Sequence, residues 1–246
     1  HHRRPDKSRD WGLAGIGELT IVATHYRMPV ERLDDFIGWN KELFEKYRVR
    51  VIIVSDVERR HLPPWVRVAV YPRKLEMFSL SKTSNYGIRL AGQGIICKTD
   101  PDCVFSEDVM KAMMGVNNTN GVAPRYYMAQ SFEEKEEATY SWEASKGTMA
   151  LTWQHWNKVN GYDERAQGYG IEDGDCFHRA GQLEGHHVER LKMKFWHIAH
   201  TGMKQTKGNT RKDCWNRKEG FNPKNHRKNV KAMNLGPWES EGWGIP

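Results

Sequence analysis

The strongest constraint on this chain is its alternation of short apolar runs with helical stretches, joined by links too short for most other arrangements. Leu19 to Thr24 (Leu-Thr-Ile-Val-Ala-Thr) is a β-branched run bounded by Gly17, the pattern of a buried strand. After Pro29, the residues Leu33, Phe36, Ile37, Asn40, Leu43 and Phe44 recur at helical spacing. Val49 to Val54 reads as a second strand ending at Ser55-Asp56, and Val66 to Val70 as a third. Ser79 to Leu90 reads as a helix with Gly87 as its weak point. Gly94 to Lys98 is a fourth strand that runs directly into Asp100-Pro101-Asp102. Strand, helix and strand in this order argue for an α/β domain with a mainly parallel sheet and flanking helices.

The second half has shorter elements. Ser106 to Met114 reads as a helix capped by Ser106. Gly121 to Ala129 and Gly147 to Thr152 read as strands, Trp153 to Val159 as a helix, and Phe132 to Ala138 as an exposed segment. Ile171 to Ala180 reads as a helix with Glu172 and Asp173 in its first turn, where the helix dipole favours carboxylates. Polar and basic residues dominate beyond Gly208. The chain therefore divides into an extension (1–17), one domain (18–202) and a basic, Trp-containing tail (203–246), which suits its 246 residues. No run approaches the roughly 20 apolar residues that cross a bilayer, so a soluble, cytoplasmic protein is expected. The four cysteines form no C-x-x-C pair and read as buried free thiols. The net charge is +7, and from Arg190 to Lys231 there are 13 Lys or Arg against two acids. Such a block is either a solvated tail or a surface for a polyanion such as nucleic acid.

Ligands of parallel sheets sit beyond the carboxyl ends of the strands. Thr24-His25-Tyr26-Arg27, Ser55-Asp56 and Asp100-Pro101-Asp102 all fall there and describe a nucleotide pocket. Neither G-x-G-x-x-G after the first strand nor G-x-x-x-x-G-K-[ST] occurs, so dinucleotide and P-loop sites lack their phosphate cradle. Asp100 and Asp102 offer hard oxygens suited to Mg²⁺ or Mn²⁺, which would bridge a diphosphate. His197 and His200, spaced H-x-x-H, either complete such a ligand set or pack structurally. Glu172-Asp173 is either a well-made helix start or a catalytic pair, with Asp173 taking a proton from an acceptor hydroxyl and Glu172 holding the acceptor. Gly168 and Gly170 would let the backbone approach a substrate. Trp153, Trp156 and Tyr169 would stack on a sugar or base, or pack in the core.

With these residues in view the chain resembles a known family. Asn85-Tyr86-Gly87-Ile88-Arg89-Leu90-Ala91, then Gly94-Ile95-Ile96 and Asp100-Pro101-Asp102, resembles the central block of GT-A fold glycosyltransferases. Asn160-Gly161-Tyr162-Asp163-Glu164, then Gly168-Tyr169-Gly170-Ile171-Glu172-Asp173-Gly174-Asp175 and Arg179, is similar to the acceptor block of β-1,4-galactosyltransferases, polypeptide N-acetylgalactosaminyltransferases and bacterial chondroitin polymerases. The resemblance covers residues 18–202. It implies an inverting transfer from a UDP-sugar, with Mn²⁺ (or Mg²⁺) as cofactor. Thr24, Tyr26, Arg27, Asp56, Lys82, Asn85 and Asp100 would bind the donor. Asp100, Asp102, His197 and His200 would serve the metal, with Asp102 its more direct ligand. Asp173 would be the general base, and Glu172, Trp153, Tyr169 and Gly170 would bind the acceptor. Galactosyltransferases carry Gly-Trp-Gly-Gly-Glu-Asp where this chain has Tyr169 and Ile171, which leaves the acceptor open. It is a glycan hydroxyl or, as the basic stretch suggests, a hydroxymethylated pyrimidine in DNA. Two other classes compete. A nucleotidyltransferase would want a glycine-rich loop, and Thr24 to Val30 has none. A non-enzymatic nucleic-acid-binding module would leave both acidic clusters unexplained.

Overall fold

The alternation of apolar runs and helices becomes a central β1 (Leu19–His25), buried at every position. It is flanked by β2 (Arg50–Ser55), β3 (Val66–Val70) and β4 (Ile95–Thr99) in the order β3-β2-β1-β4, all parallel. The computed structural model describes residues 18–26, 28–59, 61–72, 75, 79–140, 147–164 and 172–199. Arg27, Tyr169, Gly170, His200, the extension 1–17 and the tail 203–246 lie outside them.

Two helices cover the parallel strands. α1 (Val30–Lys46) buries Leu33, Phe36, Ile37 and Phe44 against Ile21, Ala23, Val51 and Ile53. α2 (Leu80–Ala91) faces the alternate residues Val22, Ile52 and Val54. Period-two alternation thus sends each strand's side chains into two separate cores. Full burial of each such side chain contributes about 1.5–3 kcal/mol. Ser79 caps α2 by accepting from Lys82 N, and Gly92 ends it at φ 72°, a conformation that glycine adopts without a Cβ penalty.

Beyond β4 the sheet becomes mixed. β4 pairs antiparallel with β8 (Met149–Thr152), which pairs antiparallel with β6 (Asn120–Ala129). β6 runs parallel to β9 (His187–Ile198), whose end pairs antiparallel with the two-residue β5 (Cys103–Val104). A short β7 (Thr139–Tyr140) also pairs with β6. Parallel pairing is thus confined to β1–β4 and the β6–β9 pair. The helices α3 (Glu107–Met114), α4 (Trp153–Val159) and α5 (Glu172–Ala180) pack around this half. Trp156 of α4 is wholly buried and donates from Nε1 to Ile96 O at 3.0 Å. The segment expected to be exposed forms a 3₁₀ turn (Glu133–Glu137) with no buried residue.

The sequence reading needs one correction here. The basic stretch does not begin as a tail, because Arg190 to Ile198 belongs to β9. Leu191 and Phe195 are buried there, while Lys192 and Lys194 are exposed, which is a half-buried strand with its polar face in water. Cys97, Cys103 and Cys176 are buried free thiols, as expected. No helix among the described residues is long and apolar enough to cross a membrane.

Candidate active site

The site forms where β4 ends, because three later elements reach back to that point. β4 carries a lysine inside an otherwise uncharged strand, and Lys98 is completely buried. A buried ammonium needs anionic or carbonyl partners, and Lys98 has three. Its Nζ bonds Asp100 Oδ1 at 3.1 Å, Asp173 Oδ1 at 3.1 Å and Gly147 O at 2.9 Å. Burial pushes its pKa down, but the charges and hydrogen bonds of Asp100 and Asp173 outweigh burial and leave it above its ordinary value. One lysine thus joins the strand-end aspartate to the first turn of α5. The Asp100 and Asp173 side chains remain 28% and 22% exposed. Burial raises the Asp100 pKa; Lys98 opposes this, while Asp173 and Asp102 add to it, leaving a net rise. Gly147 closes the arrangement. A Cβ there would lie 2.7 Å from Asp100 Oδ2 and 3.6 Å from Asp173 Oδ2.

Asp102 turns away from Lys98 and is nearly buried. Its Oδ1 lies 3.2 Å from His197 Nε2 and its Oδ2 3.3 Å from Arg32 Nη1. The backbone fixes the same contact, since Ile198 N donates to Asp102 O at 2.8 Å. A register shift brings β9 there. Arg125 pairs with Lys192 but Tyr127 pairs with Trp196, so β9 inserts extra residues, and such bulges re-aim side chains. The Tyr126 ring stacks on His197 at 5.2 Å and 23°. Burial lowers the His197 pKa, yet the Asp102 hydrogen bond and the charges of Asp102 and Asp100 leave it raised overall.

The Asp102–His197 pair joins a hard oxygen to an imidazole nitrogen, a donor set that suits Mn²⁺ in a site completed by phosphate oxygens and water. Among the described residues no three His, Cys, Asp or Glu side chains gather as a complete metal cage.

The other expected residues stand as follows. Thr24 is buried at the end of β1, with its Oγ1 donating to Thr83 Oγ1 of α2 at 3.2 Å. Tyr26 is buried, and its hydroxyl accepts from Leu75 N at 3.2 Å. Asp56 is exposed just past β2, and Lys82 is half-buried in the first turn of α2. Asn85 holds the loop before α5: its Nδ2 donates to Tyr162 O and Glu164 Oε1, and its Oδ1 accepts from Tyr162 N. Both amide hydrogens are thereby committed inside the protein. Trp153 is half-buried at the start of α4, and Glu172 is buried at the start of α5. Within α5, the Asp175–Arg179 pair at 2.9 Å is buried, and Arg179 Nη1 donates to Val159 O at 2.7 Å. That locks α5 to the end of α4.

The residues that sequence reasoning missed are Lys98, Gly147, Arg32 and Tyr126. Lys98 did leave a signal: a charge inside a strand flanked on both sides by other strands must find buried partners.

A parallel strand-and-helix half and a mixed half, with an acidic site at their junction, make up a GT-A fold. Residues 126–203 match a family described as the N-terminal domain of galactosyltransferase, a span that includes Gly147, Glu172, Asp173 and His197. The catalytic domain of Drosophila β1,4-galactosyltransferase 7, solved with xylobiose, is similar at 15% identity and a TM-score of 0.55, over 83% of this chain and 79% of that one. GalNAc-T7 with UDP, GalNAc and Mn²⁺ is similar at 14% identity and a TM-score of 0.59, over 77% of this chain but only 44% of that one. A mannosyltransferase of Pyrobaculum calidifontis with GDP-Man and Mn²⁺ is similar at 10% identity and a TM-score of 0.53, over 79% of this chain and 62% of that one. No curated protein matches in sequence.

Proposed function

We propose that the chain transfers a sugar from a UDP-sugar to a glycan hydroxyl with inversion at the anomeric carbon, using Asp173 as general base. The observation that carries this reading is the shared lysine: Lys98 bonds both Asp100 and Asp173, which supports pairing a carboxylate proposed for the donor side with the proposed proton acceptor. The acceptor O–H attacks the anomeric carbon, and its proton passes to Asp173 Oδ2. A new carbon–oxygen bond forms as the bond to the diphosphate breaks, and the electron pair leaves with the diphosphate oxygen. Inversion follows from a single displacement.

Asp102 and His197 would hold Mn²⁺ or Mg²⁺, with Asp100 on the donor side and His200 a further candidate. When bound, the ion neutralises charge on the departing diphosphate. Solved relatives containing Mn²⁺ with a nucleotide or nucleotide sugar support this assignment. Tyr26 and Thr24 would wall the nucleotide, with Arg27, Asp56 and Lys82 at its rim. Glu172, Trp153, Tyr169 and Gly170 would meet the acceptor. A glycan is favoured over DNA because similar solved structures hold xylobiose.

The test is release of UDP from a panel of UDP-hexoses, with Mn²⁺ and with or without oligosaccharide acceptors. Asp173→Asn is expected to lower acceptor-dependent turnover by roughly 10²–10⁴-fold while UDP binding survives. Wild-type turnover in that variant, or no turnover of any UDP-hexose by the wild type, would remove this reading.

A further inference from the structure

We infer that Lys98 is a positioning residue for the transfer: it fixes Asp173 by one carboxylate oxygen, so that the other, beside Gly147, meets the acceptor proton. This rests on Asp173 being the general base and adds the device that aims it.

The geometry is divided oxygen by oxygen. Lys98 Nζ takes Oδ1 of both Asp100 and Asp173. The Oδ2 atoms of both lie within 4 Å of the Cβ that Gly147 lacks. Gly147 also anchors the lysine through its carbonyl, at 2.9 Å. A carboxylate tethered by one oxygen to a fixed cation has little freedom left about its last torsion. The untethered oxygen, on the Gly147 side, is then the one that meets the reacting hydroxyl, and holding a base in place this way is worth large rate factors. Lys98 itself cannot drift, because it is enclosed on all sides and its three partners come from the turn after β4, the stretch leading into β8, and α5. It touches no substrate in this arrangement and acts through Asp173.

The experiment compares wild type with Lys98→Met, Asp173→Asn and the double variant in the UDP-release assay, using the UDP-hexose the wild type turns over best. Binding of UDP with Mn²⁺ is followed by calorimetry. Lys98→Met is expected to lower kcat at least about 30-fold, with a smaller rise in donor KM through the Asp100 it also holds, since it removes an arrangement that matters in the transition state. The double variant is expected within about threefold of Asp173→Asn alone, because a residue acting through Asp173 has nothing left to position. If Lys98→Met does not melt cooperatively, the comparison is made between Asp100→Asn and Lys98→Met/Asp100→Asn, which removes one buried charge of each sign. The inference is overturned if loss of Lys98 leaves kcat within threefold, or if the two effects multiply in full. An inactive Asp173→Asn beside an active Lys98→Met removes only the inference. A fully active Asp173→Asn removes the general-base reading itself.

Discussion

Asn85 shows how one amide can hold two elements in register. Its side chain makes three hydrogen bonds to the Tyr162–Glu164 loop, at 2.8–2.9 Å, and it is almost wholly buried. Truncation would leave the Tyr162 backbone N–H and C=O without these partners inside the protein, so Asn85→Ala is expected to destabilise the fold by about 2–4 kcal/mol. Urea unfolding measures this, and a change below about 0.5 kcal/mol, the ordinary scatter of surface substitutions, would contradict it. Residue identity alone does not distinguish such a clamp from a ligand. An asparagine on a helix beside the nucleotide loops suits either role, and only its partners, some 77 residues away, decide. Lys98 was hidden for a related reason: its two aspartates lie 2 and 75 residues along the chain, and only the nearer is visible as a neighbour.

At the scale of elements, Gly87 changes meaning. In the sequence it weakens a helix, since glycine costs about 1 kcal/mol relative to alanine there. In the structure a Cβ at that position would collide with Val22 and come within 2.8 Å of Val54 Cγ2. The glycine lets α2 lie close on β1 and β2. Gly87→Ala is therefore expected to destabilise by about 1–3 kcal/mol through overpacking, despite its better helix propensity; a raised melting temperature would contradict this. The strands β1, β2 and β4 were legible because continuous apolar runs bounded by turn residues have few other readings. β5 and β7, with two residues each, are too short to show any period. β9 was missed because its lysines were counted as charge. Their alternation with Leu191, Met193 and Phe195 was the strand signal, and it competed with a basic block that continues well past the strand.

For the whole molecule, the proposed donor and metal would join the parallel half to the mixed half, and ligand binding to the folded state alone raises stability by mass action. At a hundred times the dissociation constant the gain is about 2.7 kcal/mol, or roughly 5–10 °C in melting temperature for a chain of this size. UDP with Mn²⁺ is expected to produce such a shift, EDTA to reverse it, and Asp102→Asn to abolish most of it. An unchanged melting temperature with both ligands at millimolar concentration would remove the metal–diphosphate assignment. The architecture itself was largely readable from the order of elements. What was not readable is how the two halves meet, because that depends on β4 pairing with β8 and on the irregular register of β9, neither of which local patterning encodes.

The tripeptide Asp100-Pro101-Asp102 ties these scales together. One aspartate is held from α5 through Lys98, and the other is held from α1 and β9 through Arg32 and His197. Every one of those tethers closes a long loop, 70 residues or more for Arg32 and for Asp173, and long closures are made late in folding because their entropy cost precedes their reward. The β1, β2 and β3 strands, whose registers join Thr20 to Arg50 and Val51 to Val66, can therefore pair while the acidic site is still open. Recovery of function on refolding should follow the slowest phase, which makes activity a reporter of the last contacts to close and not of the bulk of the sheet.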